Sequence, residues 1–229
     1  MDTIRWVEDG ADRHAAWHSE TSAATPGRVV VADDTMTADT AMRLVRRETA
    51  ILWRGDYHNA RQLLKAMDRR VQRRSKRGEQ VTFTGHRAAR AERATLLGRL
   101  VVELEADRSL RLRRAPDVRE ACTAAYGEGT GPMCIALTEL LGVIGAHQWQ
   151  EKGVHVPALR TTVHPGFGVF SPVRGEYIDL VANAPLAQPV PRTAFDLGAG
   201  TGVLAVILAQ RGVERVVATD INPRAVACA

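Results

Sequence analysis

The sequence has 229 residues, 45% hydrophobic and 25% charged, a balance that supports a buried core in one large domain or two modest ones. Its formal charge of +5 tolerates an acidic partner without requiring one. Three widely spaced cysteines, Cys122, Cys134 and Cys228, exclude a disulfide framework or a metal-ligand set, and the longest uncharged apolar run, residues 203–209, is far short of the roughly 20 residues that cross a bilayer.

The first residues, Met1-Asp2-Thr3-Ile4-Arg5, lack the basic-then-apolar pattern of a secretory signal, and with the free thiols this reads as a cytoplasmic protein. Lysine occurs only at Lys65, Lys76 and Lys152, so arginine supplies nearly all the positive charge. Codon usage in a GC-rich genome produces that skew by itself, which discounts it as a sign of nucleic-acid binding. Residues 1–37 are polar and mixed, with one short apolar run at 28–32, and read as a loosely attached arm.

From Thr37 the spacing turns helical. Thr40 is the expected N-cap, and Met42, Val45, Thr49 and Leu52 recur at three- and four-residue intervals up to Trp53. Gly55 breaks this helix and Asp56 caps a second, in which Ala60, Leu63, Leu64, Met67 and Val71 share a face, ending near Gly78. A third helix is expected over 87–105, with Leu96, Leu97, Leu100, Val101 and Leu104 buried. Further helices are expected over 117–126 and 132–150, separated by a glycine-rich turn at 127–131. Residues 1–153 thus read as a mostly helical domain. After Lys152-Gly153 the texture changes: 154–163 alternates and favours strand, 164–172 is punctuated by Gly and Pro, 175–184 is helical, and 185–191 is a proline-rich connector.

The chemistry sits at 194–229. Ala194-Phe195-Asp196-Leu197 reads as a buried strand running into Gly198-Ala199-Gly200-Thr201-Gly202, then a helix over 203–210 stopped by Gly212. A second strand, 216–219, ends at Asp220, and Asn222-Pro223 opens another helix as N-cap and first helical residue. Strand, glycine turn, helix, strand and acid form the first half of a doubly wound nucleotide site. The glycines allow positive φ and close approach of a ligand. The helix N-terminus behind them offers N–H groups to a carboxylate, and an acid after the second strand can accept from ribose hydroxyls. A dinucleotide fingerprint would need glycine where Val203 stands. The observed Asp-x-Gly-x-Gly-x-Gly puts a carboxylate, Asp196, where it would repel a pyrophosphate but suit an ammonium group. S-adenosyl-L-methionine carries an ammonium, a sulfonium and a ribose, and fits better than NAD, which remains a weaker reading.

Residues 195–202 together with Thr219-Asp220-Ile221-Asn222 resemble the motifs of class I S-adenosylmethionine-dependent methyltransferases. The lead-in, Pro165-Gly166 through Phe170-Ser171-Pro172 to residues 177–181, is similar to that of the "methyltransferase small" group. That group includes ribosomal RNA guanine-N2 methyltransferases and glutamine methyltransferases of release factors and ribosomal proteins. Leu52-Trp53-Arg54-Gly55-Asp56 and residues 59–64 resemble the accessory domain of bacterial members. The resemblance implies an α/β, Rossmann-like cofactor domain over 154–229, of which only the first half is expected here, preceded by the accessory domain over 1–153. It implies that Asp196, Gly198, Ala199, Gly200 and Gly202 lie at the methionine end of the cofactor, that Asp220 holds the ribose and that Ile221 packs on adenine. The group's catalytic Asn-Pro-Pro-aromatic loop does not occur in this sequence, so no catalytic residue is assigned, and the chain by itself is expected to bind rather than turn over.

The implied partner is RNA or a ribosome-associated protein, with glutamine methylation or a non-catalytic binding module as alternatives. For RNA the candidate surface is Arg69, Arg70, Arg73, Arg74, Lys76 and Arg77, extended by Arg87, Arg90, Arg93, Arg111, Arg113 and Arg114; a solvated helical face competes with that reading. Segment 165–172 is open between a connector and a ligand contact. His86, His147, His155 and His164 have no ligand spacing, so no metal is expected.

Overall fold

A computed structural model describes residues 2–75 and 82–229. The chain divides into two units, Met1–Gly142 and Val143–Ala229.

The first unit is a mixed α/β structure around a six-stranded sheet. Its strands are β1 (Asp2–Glu8), β2 (Ala11–Trp17), β3 (Arg28–Ala32), β4 (Thr49–Trp53), β5 (Leu100–Leu104) and β6 (Met133–Ala136), in the spatial order β1-β2-β6-β5-β4-β3. The expected arm is therefore three strands. β1 and β2 pair antiparallel with Glu8 opposite Ala11, joined by Asp9 and Gly10 at φ 52° and 75°. Two positive φ angles in a two-residue loop match the right-handed strand twist, and Asp-Gly is a preferred pair there. The sheet curls so that β1 also lies against β3. One cluster on one face joins Ile4, Trp6, Trp17, Leu52, Val101 and Cys134.

The mostly helical reading of this unit is overturned at three places, for one reason. The first helix, α1, is only Ala38–Arg46, capped by Thr37 rather than Thr40: the Thr37 Oγ1 accepts from the Thr40 N–H at 3.2 Å. Glu48, at φ 61°, turns the chain into β4, whose five residues are all buried. The second helix is α2 (Tyr57–Ser75), opened by Asp56, whose Oδ1 accepts from the His58 N–H at 2.8 Å. The third, α3 (Phe83–Leu97), stops at Gly98, and Leu100, Val101 and Leu104 belong to β5. After α4 (Arg119–Tyr126), the expected helix over 132–150 begins as β6 and continues as α5 (Leu137–Lys152). In each case a short apolar run with no polar alternation continued a helical spacing. A strand buried on both faces carries the same pattern.

Two knots of charge fix the ends of the strands. Arg54 donates to both oxygens of Glu8 at 2.7 Å and pairs with Glu103 at 2.7 Å, holding the Glu8 carboxyl below its ordinary value. At the β4–α2 turn, Asp34 accepts from the Asp56 N–H at 2.9 Å, and Asp56 accepts from Arg114 at 2.6 Å. Gly55 permits this turn because a Cβ there would lie 2.6 Å from the Asp34 Oδ1 and 2.8 Å from its backbone nitrogen.

The second unit contains the end of α5, within which the division falls rather than at residue 153. A small antiparallel pair, β7 (Val154–Val156) and β8 (Thr161–Val163), brackets a 3-10 turn, Pro157–Leu159. Then follow α6 (Glu176–Asn183), β9 (Thr193–Leu197), α7 (Val203–Gln210), β10 (Arg215–Thr219) and α8 (Pro223–Cys228). β9 and β10 pair in parallel, Thr193 opposite Arg215 through Leu197 opposite Thr219. The core of this unit is Val156, Ile178, Val203 and Ile207. Arg211, just past α7, donates to the carbonyls of Val181 and Ala184 and so closes the C-terminal end of α6.

Candidate functional site

The glycine turn between β9 and α7 is shaped by three positive φ angles: Gly198 at 80°, Gly200 at 56° and Gly202 at 74°. The N–H groups of Gly198 and Ala199 both donate to the Thr219 carbonyl at the end of β10, at 2.8 and 2.9 Å. The Gly202 N–H returns to the Ala199 carbonyl at 2.8 Å. No side chain caps α7, which leaves its first turn without a side-chain acceptor.

Asp220 follows β10 and ties the two halves of the turn together. One carboxylate oxygen accepts from the Gly200 N–H at 2.9 Å and the other from the Asn222 N–H at 2.8 Å. The Asn222 and Gly200 amides hold the Asp220 carboxyl below its ordinary value. Asn222 caps α8, its Oδ1 accepting from the Arg224 N–H at 3.0 Å, with Pro223 in the first turn.

These elements wall a cavity of about 310 Å³. Of the residues singled out in the sequence, Gly198, Ala199, Gly200 and Asp220 line it. Gly202 lies at the start of α7, where an added Cβ would come within 3.1 Å of the Ala229 side chain. Asp196 is buried on β9, and its Oδ2 has no hydrogen-bond partner among the described residues. Ile221 is fully exposed and is not part of the lining. Gly168, Phe170 and Tyr177 also line the cavity, which the sequence did not decide. The signal for them is the Gly/Pro-punctuated aromatic run ahead of the glycine motif.

The lining fits the nucleoside part of S-adenosylmethionine: a glycine cradle with no Cβ stands beside an ionised acid.

Residues 185–229 match the family model for ribosomal protein L11 methyltransferase. The match covers β9, the glycine turn, α7, β10 and Asp220, which form one side of the cavity, and is a minor part of the chain. It supports a methyltransferase type for this segment. No curated protein matches the chain.

The candidate phosphate-binding face is less coherent than its sequence suggests. Arg70 donates to Asp39 at 2.7 Å, and Arg93 forms two hydrogen bonds to Asp68. Arg111, Arg113 and Arg114 pair with Glu105, Asp34 and Asp56. Arg69, Arg73, Arg87 and Arg90 are exposed. Lys76 and Arg77 lie outside the described residues, as does the Arg74 side chain. Among the described residues no helix is long and apolar enough to cross a membrane.

Proposed function

We propose that the second unit binds S-adenosyl-L-methionine in the cavity between the glycine turn and Phe170, as part of a cytoplasmic methyltransferase that modifies a component of the translation apparatus. The observation that carries this is the Asp220 carboxylate, hydrogen-bonded to the glycine turn and kept ionised beside a cavity of nucleoside size. When bound, the cofactor supplies a methyl group activated by a positive sulfur. The chain's residues bind and orient: the turn brings backbone close, Asp220 offers acceptors to ribose hydroxyls, and Asp196 stands on β9 before the turn with a buried side-chain oxygen that has no partner among the described residues. Ile221, exposed beside Asp220, is available to an adenine face. Direct displacement needs alignment more than acid–base help.

The family match favours a ribosomal protein as methyl acceptor. RNA is the second reading, supported by the exposed Arg69, Arg73, Arg87 and Arg90. Co-sedimentation of the chain with ribosomal fractions separates the two: association that survives RNase treatment favours protein, and association lost on that treatment favours RNA. The cofactor claim is tested by titrating S-adenosylhomocysteine calorimetrically. Asp220→Ala is expected to weaken binding by about 5- to 100-fold through lost charge-assisted hydrogen bonds. An unchanged dissociation constant removes the ribose role, and displacement of the ligand by NAD would replace the methyltransferase reading with an oxidoreductase one.

A further inference from the structure

Besides the bonds its carbonyl accepts from Ala225 and Val226 in α8, Asn222 makes hydrogen bonds in three directions. Its side-chain oxygen caps α8, its backbone N–H donates to Asp220, and its side-chain nitrogen donates to the Gly168 carbonyl at 2.8 Å. Asp220 in turn accepts from Gly200. A continuous chain of hydrogen bonds therefore runs from segment 164–172, through Asn222 and Asp220, to the glycine turn.

The segment it reaches is a wall of the cavity. Phe170 lies two residues beyond Gly168, and a Cβ on Gly200 would come within 3.8 Å of the Phe170 Cβ and 3.9 Å of its carbonyl. Phe170 is 66% exposed, and its ring sits 6.4 Å from that of Tyr177, so little packing holds it in place. A second strut runs beside the first: the Arg224 guanidinium lies over the Phe167 ring at 5.1 Å, and a Cβ on Gly168 would meet its Nη1 at 3.1 Å. Both struts come from the start of α8.

We propose that Asn222 is a positioning residue that latches segment 164–172 onto the acid-bearing turn and so sets Phe170 against the cofactor cavity. Capping alone does not account for Asn at this position, because Ser, Thr and Asp cap as well. A latch needs an acceptor for the helix N–H and, on the same side chain, a donor long enough to reach Gly168; the carboxamide has both. This inference rests on reading the cavity as the cofactor site for its effect on affinity, but the latch itself is independent of ligand.

The test uses the full chain and two variants that retain a cap. Asn222→Asp keeps the oxygen and replaces the donor by a second oxygen facing the Gly168 carbonyl. Asn222→Ser keeps a neutral cap but is too short to reach. Amide exchange without ligand, followed by mass spectrometry, is expected to rise several-fold over 166–172 in both variants, with α8 protected as in the parent. S-adenosylhomocysteine affinity is expected to fall about 5- to 30-fold in both. Unchanged exchange over 166–172 overturns the latch, and equal deprotection of α8 reduces Asn222 to a cap. Weakening by Asp but not Ser assigns the effect to charge beside Asp220 and also overturns it. If the parent chain binds no S-adenosylhomocysteine, the cofactor reading fails while the exchange result still decides the latch.

Discussion

The two units treat apolar strands in opposite ways. In the first, β4 is buried along its whole length and Ile51 and Leu52 are wholly inaccessible. In the second, Phe195 and Leu197 on β9 are 68% and 78% exposed, although both strands have the same length and a similar apolar content. The contrast separates two kinds of specification. β4 is held by burial on both faces, whereas β9 and the turn after it are held by backbone geometry: three glycines at positive φ and main-chain hydrogen bonds to Thr219.

That contrast can be broken experimentally, and the largest effect lies in the first unit. Leu52→Ala is expected to cost about 2–5 kcal/mol, the usual loss for a buried leucine that leaves a cavity. Urea unfolding followed by tryptophan emission reads it, because Trp6, Trp17 and Trp53 are all buried in this unit. A loss below about 1 kcal/mol would mean that the curled sheet does not hold its core as described.

A second expectation concerns acid. The Arg114 hydrogen bond beside Asp56 holds its carboxyl down at about 2. A lowered carboxylate contributes stability that is fully present above its ordinary value near pH 4 and is lost as pH falls through the folded value. The stability gap between the parent and Asp56→Asn should therefore be constant from pH 7 to about 5 and close as pH falls toward about 2. A gap that widens in acid would contradict the Arg114 pairing.

The smallest effect is expected on β9. Leu197→Ser should change stability by no more than about 0.5 kcal/mol, as for exposed positions generally. A loss of about 2 kcal/mol or more, read by urea unfolding followed by amide exchange over β9 and α7, would show that this face is covered in solution and would remove the contrast.

The sequence was legible where residue chemistry dictates a backbone state. The Gly198–Gly200–Gly202 spacing, the acid at Asp220 and the Asn222-Pro223 start of α8 correspond to the observed turn, acid and cap. It was illegible where only periodicity spoke. Met42, Val45, Thr49 and Leu52 satisfy a helical repeat, yet Glu48 in the left-handed region divides them between α1 and β4. Leu100 and Val101 continued the spacing of α3 in the same way, and Gly98 was the signal that it stopped. The β1–β2 hairpin did carry a local signal, Asp9-Gly10, but β2 contains Ala, Asp, Arg and His and no β-branched residue, so only β1 has strand-like composition. Phe170 and Tyr177 line the cavity together with Gly200 and Asp220, far along the sequence, and no local pattern encodes that meeting.

The Asp9-Gly10 turn has a consequence larger than its size. Because it pairs Glu8 with Ala11, it decides which side of β1 faces inward, and Ile4 and Trp6 are buried while Arg5 and Val7 are not. Strand side chains alternate with a period of two, so one added residue in the pairing would exchange these sets. Two surface residues thus act as an address label for the core: other turn-formers could stand in their place, but a change in their number would change which residues the core receives.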